Sequence, residues 1–103
     1  MFKINPGPTF TTEVSLSVPG KTEPEKITVT FKSKDRAELE EFGKAIKKKP
    51  ILDSVFEIVE GWSGVDVEFS KENLEKLLAN YIPSGNEIIT AYHREVYESR
   101  VKN

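Results

Sequence analysis

The hydrophobic period of this chain changes once along its length, from two residues to between three and four. From Phe10 to Val18 the side chains alternate: Phe10, Thr12, Val14, Leu16 and Val18 share one face, and Thr11, Glu13, Ser15 and Ser17 the other. Ile27, Val29 and Phe31 alternate in the same way with Thr28, Thr30 and Lys32. A period of two is that of a strand with one buried face. Pro19-Gly20 and the polar run Lys21 to Lys26 separate the two segments, so they are expected to pair as an antiparallel hairpin across a long charged loop. A two-stranded sheet is marginal by itself, and its apolar face has to be covered by helices or by another chain.

After residue 33 the pattern becomes helical. Asp35 with Glu38 resembles a capping box, and Leu39, Phe42 and Ile46 then form one stripe. Acidic residues crowd the start of this segment, and Lys47, Lys48 and Lys49 close it ahead of Pro50, as the helix dipole favours. Ile51, Leu52, Val55, Phe56 and Val59 make a second apolar face that ends at Gly61. Ser70 caps a third helix with Phe69 placed to staple against Leu74, and Leu77, Leu78 and Tyr81 continue its inner face. Ser84 with Glu87 completes the capping-box pattern for a fourth, which carries Ile88, Ile89, Tyr92 and Val96. The spacing predicts strands over 10–18 and 27–32, helices over 35–49, 51–60, 71–81 and 85–100, and an ordered loop over 62–68. Strands and helices are segregated, so the expected fold class is α+β: an N-terminal antiparallel β-hairpin followed by four helices packed in one small domain over residues 1–103, with residues 1–8 loosely held. The expected core is Val14, Leu16, Ile27, Val29, Phe42, Ile46, Leu52, Val55, Phe56, Val59, Leu74, Leu77, Leu78, Ile89 and Tyr92.

A chain of 103 residues has room for one core. It has no cysteine, which removes disulfides and thiolate metal sites, and its net charge of −2 gives bulk electrostatics no hold on a nucleic acid. The first residues contain no apolar run of a signal peptide, and no segment approaches the length of a membrane span, so a cytoplasmic location is expected. Catalytic groups are scarce. His93 is the only histidine, and no nucleophile motif accompanies it, so it reads as a half-exposed residue on a helix surface. Asp66 and Glu68 supply too few oxygens for a calcium loop, and Gly61-Trp62-Ser63-Gly64 lacks the lysine of a phosphate loop. No catalytic, cofactor or metal site is expected. What remains is apolar and aromatic material around one irregular segment. Trp62 has two readings, a plug at the end of the core or an anchor for a partner. The candidate partner-binding residues are Trp62, Val65, Val67 and Phe69, extended by Tyr81 and Tyr97.

Four stretches also carry a resemblance. They are Phe2-Lys3-Ile4-Asn5-Pro6-Gly7-Pro8-Thr9-Phe10, Glu57 to Asp66 with its Gly61-Trp62-Ser63-Gly64-Val65-Asp66 element, Phe69 to Leu74 with Leu77 to Tyr81, and the closing helix with Ile88, Ala91 and Tyr92. Together they make the chain similar, over essentially its full length, to the small phage tail assembly chaperones of tailed bacteriophages and prophages. The charged loop from Pro19 to Glu25 is a departure from that pattern. The resemblance implies a non-catalytic protein, absent from the mature particle, that holds the aggregation-prone tape measure protein while the tail tube polymerises and that recruits tail tube subunits. It also implies that a longer frameshifted form can exist. Self-association is a further expected partner interaction. The competing readings are a structural tube or completion protein of the virion and a general protein-interaction adaptor.

Overall fold

A computed structural model describes residues 1–98. Strand β1, Thr9–Leu16, pairs antiparallel with β2, Glu25–Lys32, in a register that sets Val14 opposite Ile27 and Thr12 opposite Val29. Four helices follow: α1 (Arg36–Ala45), α2 (Ile51–Ile58), α3 (Lys71–Asn80) and α4 (Ser84–His93). The α+β class expected from the change of period is therefore present, but the sheet has three strands and not two. Val59–Ser63 forms β3, antiparallel to β2, so the sheet order is β1-β2-β3.

The third strand corrects two expectations, that α2 runs to Glu60 and that Trp62 lies outside regular structure. The pairing contains a bulge. Val59 is opposite Phe31 and Gly61 opposite Thr30, leaving Glu60 as an extra residue. In an unbroken strand Val59 and Trp62, three apart, would face opposite sides. The extra residue returns both to the side of Phe31 and Val29, the buried face.

The helix termini differ from expectation in an instructive way. At α1 the capping box forms: Asp35 Oδ1 accepts from the Glu38 N–H and Glu38 Oε1 from the Asp35 N–H, both at 2.9 Å. Ser70 likewise caps α3, accepting from the Asn73 N–H at 3.0 Å. At α4 it does not form. Pro83 occupies the cap position, Ser84 is fully buried, and its Oγ donates towards the Leu77 carbonyl at 3.5 Å. Helix α1 ends at Ala45, so the three lysines lie in the turn beyond it, where Lys49 bonds Glu57 at 2.6 Å. Lys34 reaches the other Glu57 oxygen at 2.9 Å. The hydrogen bond from Lys49, with that from Lys34 adding to it, holds the Glu57 carboxyl below the usual carboxylate range against the opposing effect of burial. Helix α4 continues as a π-helical turn over Arg94–Glu98; the remainder of the expected fourth helix, 99–100, lies outside the described residues.

The helices cover the inner face of the sheet. Val14, Leu16, Ile27, Val29, Phe42, Val55, Val59, Leu74, Ile89 and Tyr92 are buried, as the periodicity implies. Phe31, Leu39, Ile58, Ile88 and Ala91 join them, whereas Ile46, Leu52, Phe56, Leu77 and Leu78 are only partly buried against that core. Tyr92 is the hub. Its ring lies 5.1 Å from Phe31, 5.8 Å from Phe10 and 6.2 Å from Phe42, and its hydroxyl donates to the Lys32 carbonyl at 2.9 Å. Burial, with the charges of Glu38 and Glu57 adding to it, pushes this phenol up to about 12. Gly85 lets α4 approach closely, because a Cβ there would sit 2.6 Å from Ile51 Cδ1 and 3.3 Å from a Leu78 methyl.

Candidate partner-binding site

A groove of about 430 Å³ opens where the sheet meets α3. One wall is the sheet end, with Leu16 and Ile27 beside Trp62 and Val18 just beyond β1; the second is the loop Gly64 to Val67; the third is α3, with Leu77 and, at its C-terminal cap, Tyr81. Glu25, Asp66 and Lys76 carry charge at its margin. A lining that combines apolar and aromatic side chains with a few charged and polar ones is compatible with a protein-binding surface.

The loop is held at both ends. Trp62 Nε1 donates to the Val67 carbonyl at 2.8 Å, closing a ring over the residues between them. Gly64 turns the chain with φ of 83°, a left-handed conformation suited to glycine, and packs closely enough that a Cβ there would lie 3.7 Å from Ile27 Cα. On the far side Asn73 Nδ2 donates to the Glu68 carbonyl at 2.8 Å. The segment read from sequence as irregular is therefore anchored, and Val67 stands on it with 46% of its surface exposed.

Trp62, Val65, Val67 and Tyr81 come together as lining of this one groove. Phe69 does not line it. It lies edge-on to Trp62 at 5.1 Å and stacked on Phe56 at 6.0 Å, half-buried, and so supports the indole from below. Tyr97 is separate: it sits on the π-helical turn with its ring 5.7 Å from His93, exposed, and outside the groove lining. Sequence reasoning missed the sheet wall of Leu16, Val18 and Ile27, whose alternation signals burial but not which end stays open. It also missed Glu87. That carboxylate accepts from the Ser17 N–H at 3.1 and 3.2 Å and from the Ser17 hydroxyl, tying the chain between Leu16 and Val18 to α4. The signal was present as the Ser84/Glu87 pattern, with its partner misassigned.

His93 is half-buried between Phe42, at 6.1 Å, and Tyr97, and burial lowers its imidazole pKa below the ordinary value. Asp66 and Glu68 are exposed, and among the described residues no group of three or more potential ligands could hold a metal. No helix among them is long and apolar enough to cross a membrane.

The sequence matches the family model described as phage tail assembly chaperone, over residues 1–103. The chain belongs to the phage tail assembly chaperone family. Membership assigns it a part in tail assembly, implies binding to phage tail components, and points to binding rather than to catalysis. No curated protein and no solved structure matches the chain.

Proposed function

We propose that the chain is a non-catalytic holdase that seats an apolar segment of the tape measure protein in the groove between the sheet end and α3, and that it brings tail tube subunits to the growing tail from the host cytoplasm. The observation that carries this reading is the convergence of Leu16, Trp62, Val67, Leu77 and Tyr81 on one open groove in a member of a tail assembly chaperone family. Apolar side chains held on an anchored frame lose little conformational entropy when a client docks. Tyr97, lying outside this groove, is proposed as a peripheral contact for a tube subunit.

The test is a paired substitution, Val65→Ser with Val67→Ser, read out by thermal stability and by co-purification with a co-expressed tape measure protein. Loss of capture in a stably folded variant is the expected result. Unchanged capture removes the groove from the interface, and abundance of the chain in purified particles favours a structural virion subunit instead.

A further inference from the structure

The sheet has two edges, and they are guarded differently. The β3 edge is 5 residues long and interrupted by the bulge at Glu60, which blunts further pairing. The β1 edge runs for 8 residues in unbroken register with β2 and contains neither proline nor lysine. The direction of its backbone groups follows from two bonds. The Ser33 N–H donates to the Pro8 carbonyl at 2.9 Å, one step beyond the Thr9–Lys32 pair, so Pro8 faces β2. Antiparallel pairs alternate, so Phe10, Thr12, Val14 and Leu16 also spend their backbone groups on β2, while Thr9, Thr11, Glu13 and Ser15 turn theirs away. Ser17 continues the outward series, and its N–H is the one that Glu87 of α4 takes. Among the described residues nothing pairs with the outward groups of Thr11, Glu13 and Ser15.

A row of unpaired N–H and C=O groups is complementary to the backbone of another extended chain. There is room for one. A second groove, of about 420 Å³, lies along this edge, with Glu13 and Ser15 on the sheet side and Asn86, Thr90 and Arg94 on the other. Those three residues are spaced four apart on an exposed stripe of α4. The charges of the groove are engaged with one exception: Glu13 pairs with Lys26 at 3.6 Å, and Glu87 is held by Ser17. Arg94 is exposed and forms no ion pair among the described residues. An incoming strand therefore meets backbone partners on one side and, on the other, a polar wall with one uncompensated cation.

We infer that β1 takes an extended segment of a tail tube subunit as a fourth strand of the sheet, paired to Thr11, Glu13 and Ser15, with a carboxylate of that segment at Arg94. The inference rests on the reading that the chain brings tube subunits to the tail, and it gives that duty a site. Tyr97, assigned to the same partner, stands on the same helical turn as Arg94. The edge site and the Trp62 groove share no lining residue, so a tube subunit and a tape measure segment are held at the same time.

The experiment titrates the full chain with the purified tail tube protein encoded alongside it, and follows affinity and residue-resolved amide exchange. Thr11→Pro removes one outward N–H and leaves the bonds to β2 whole. It should weaken binding by at least about tenfold, the order of one lost backbone bond with the bulk of the ring added. Arg94→Glu, on the exposed face of α4, should weaken it as well and carries the test if the proline variant does not fold. In the free chain the amides of Thr11, Glu13 and Ser15 should exchange faster than those of Thr12 and Val14, and bound tube protein should slow the first set only. Binding that ignores both substitutions, or protection that does not alternate, overturns the edge site alone. A tube protein that does not bind the unchanged chain overturns the recruitment reading and the site with it. Protection of the same three amides in the chain alone, as its concentration rises, assigns the edge to a second copy and overturns the inference. Tape measure capture, measured in parallel, should survive Thr11→Pro; its loss in a folded variant would show that the two sites are one.

Discussion

Tyr92 and Trp62 each organise an aromatic cluster on the same face of one sheet, and the two clusters differ in how they are finished. Around Tyr92, strands β1 and β2 contribute Phe10 and Phe31, helix α1 contributes Phe42, and the hydroxyl is spent on the Lys32 carbonyl, leaving the residue with no exposed surface. Around Trp62, Phe69 lies edge-on to the indole and is itself stacked on Phe56, the indole N–H is spent on the Val67 carbonyl, and the ring lines the groove. Both polar atoms are satisfied, so neither ring is under pressure to move. The difference is coverage: two strands and two helices enclose one cluster, whereas a bulged edge strand, a tethered loop and α3 enclose the other on three sides only. Stability is concentrated in the first cluster and available apolar surface in the second.

Truncation should separate them most clearly. Tyr92→Ala removes the hub of the closed cluster and leaves the Lys32 carbonyl without its donor, so a loss of roughly 3–5 kcal/mol is expected. Trp62→Ala, with one side of the ring already open, should cost about 1–3 kcal/mol. Chemical denaturation of the two variants checks the order. Equal losses would mean that the groove is as much a part of the core as Tyr92 is.

How much of this was legible in the sequence follows the same division. The closed cluster lies on segments of unbroken period, so Val14, Val29, Phe42 and Tyr92 could be placed from alternation and helical spacing alone. The open cluster depends on β3, where the bulge at Glu60 interrupts the period of two while Val59 extends the helical spacing of Val55. A strand of 5 residues with a displaced register leaves no periodic trace, so Trp62 was read as part of a loop. Caps show a related limit. Asp35/Glu38 and Ser84/Glu87 are the same motif in sequence, but only the first is free to bond itself; Ser84 is buried against α3 and Glu87 is claimed by Ser17, distant in sequence. Local patterns state what a side chain is able to bond, and tertiary competition decides what it does bond.

Glu87 joins the two regions, since it fixes the sheet wall of the groove from the helix that carries Tyr92. Glu87→Ala should cost about 1 kcal/mol, below the range for buried bonds to charged groups because this one is solvent-exposed. Its more telling effect is on the groove: amide exchange should quicken around Ser17 and Val18 while the amides of β2 near Val29 keep their protection. Uniform acceleration across the sheet would show that Glu87 supports global stability and does not set the groove wall.

The smallest effect is expected at the outer margin of the closed cluster. His93 packs between the Phe42 and Tyr97 rings, and burial disfavours its charged form, so its pKa lies below the ordinary value of about 6.5. As pH falls below about 6.5, the unfolded chain takes up a proton that the folded chain does not. The contribution of neutral His93 is therefore complete above that pH and is lost as pH drops through the folded-state value. His93→Gln keeps a planar polar side chain without the titration, so the difference between the two stability curves should be flat at neutral pH and narrow on acidification. Subtraction cancels the carboxylates that titrate lower, provided they are remote from the site. Should the difference widen on acidification, His93 is stabilised in its charged form, and the closed cluster is open to water at this edge after all.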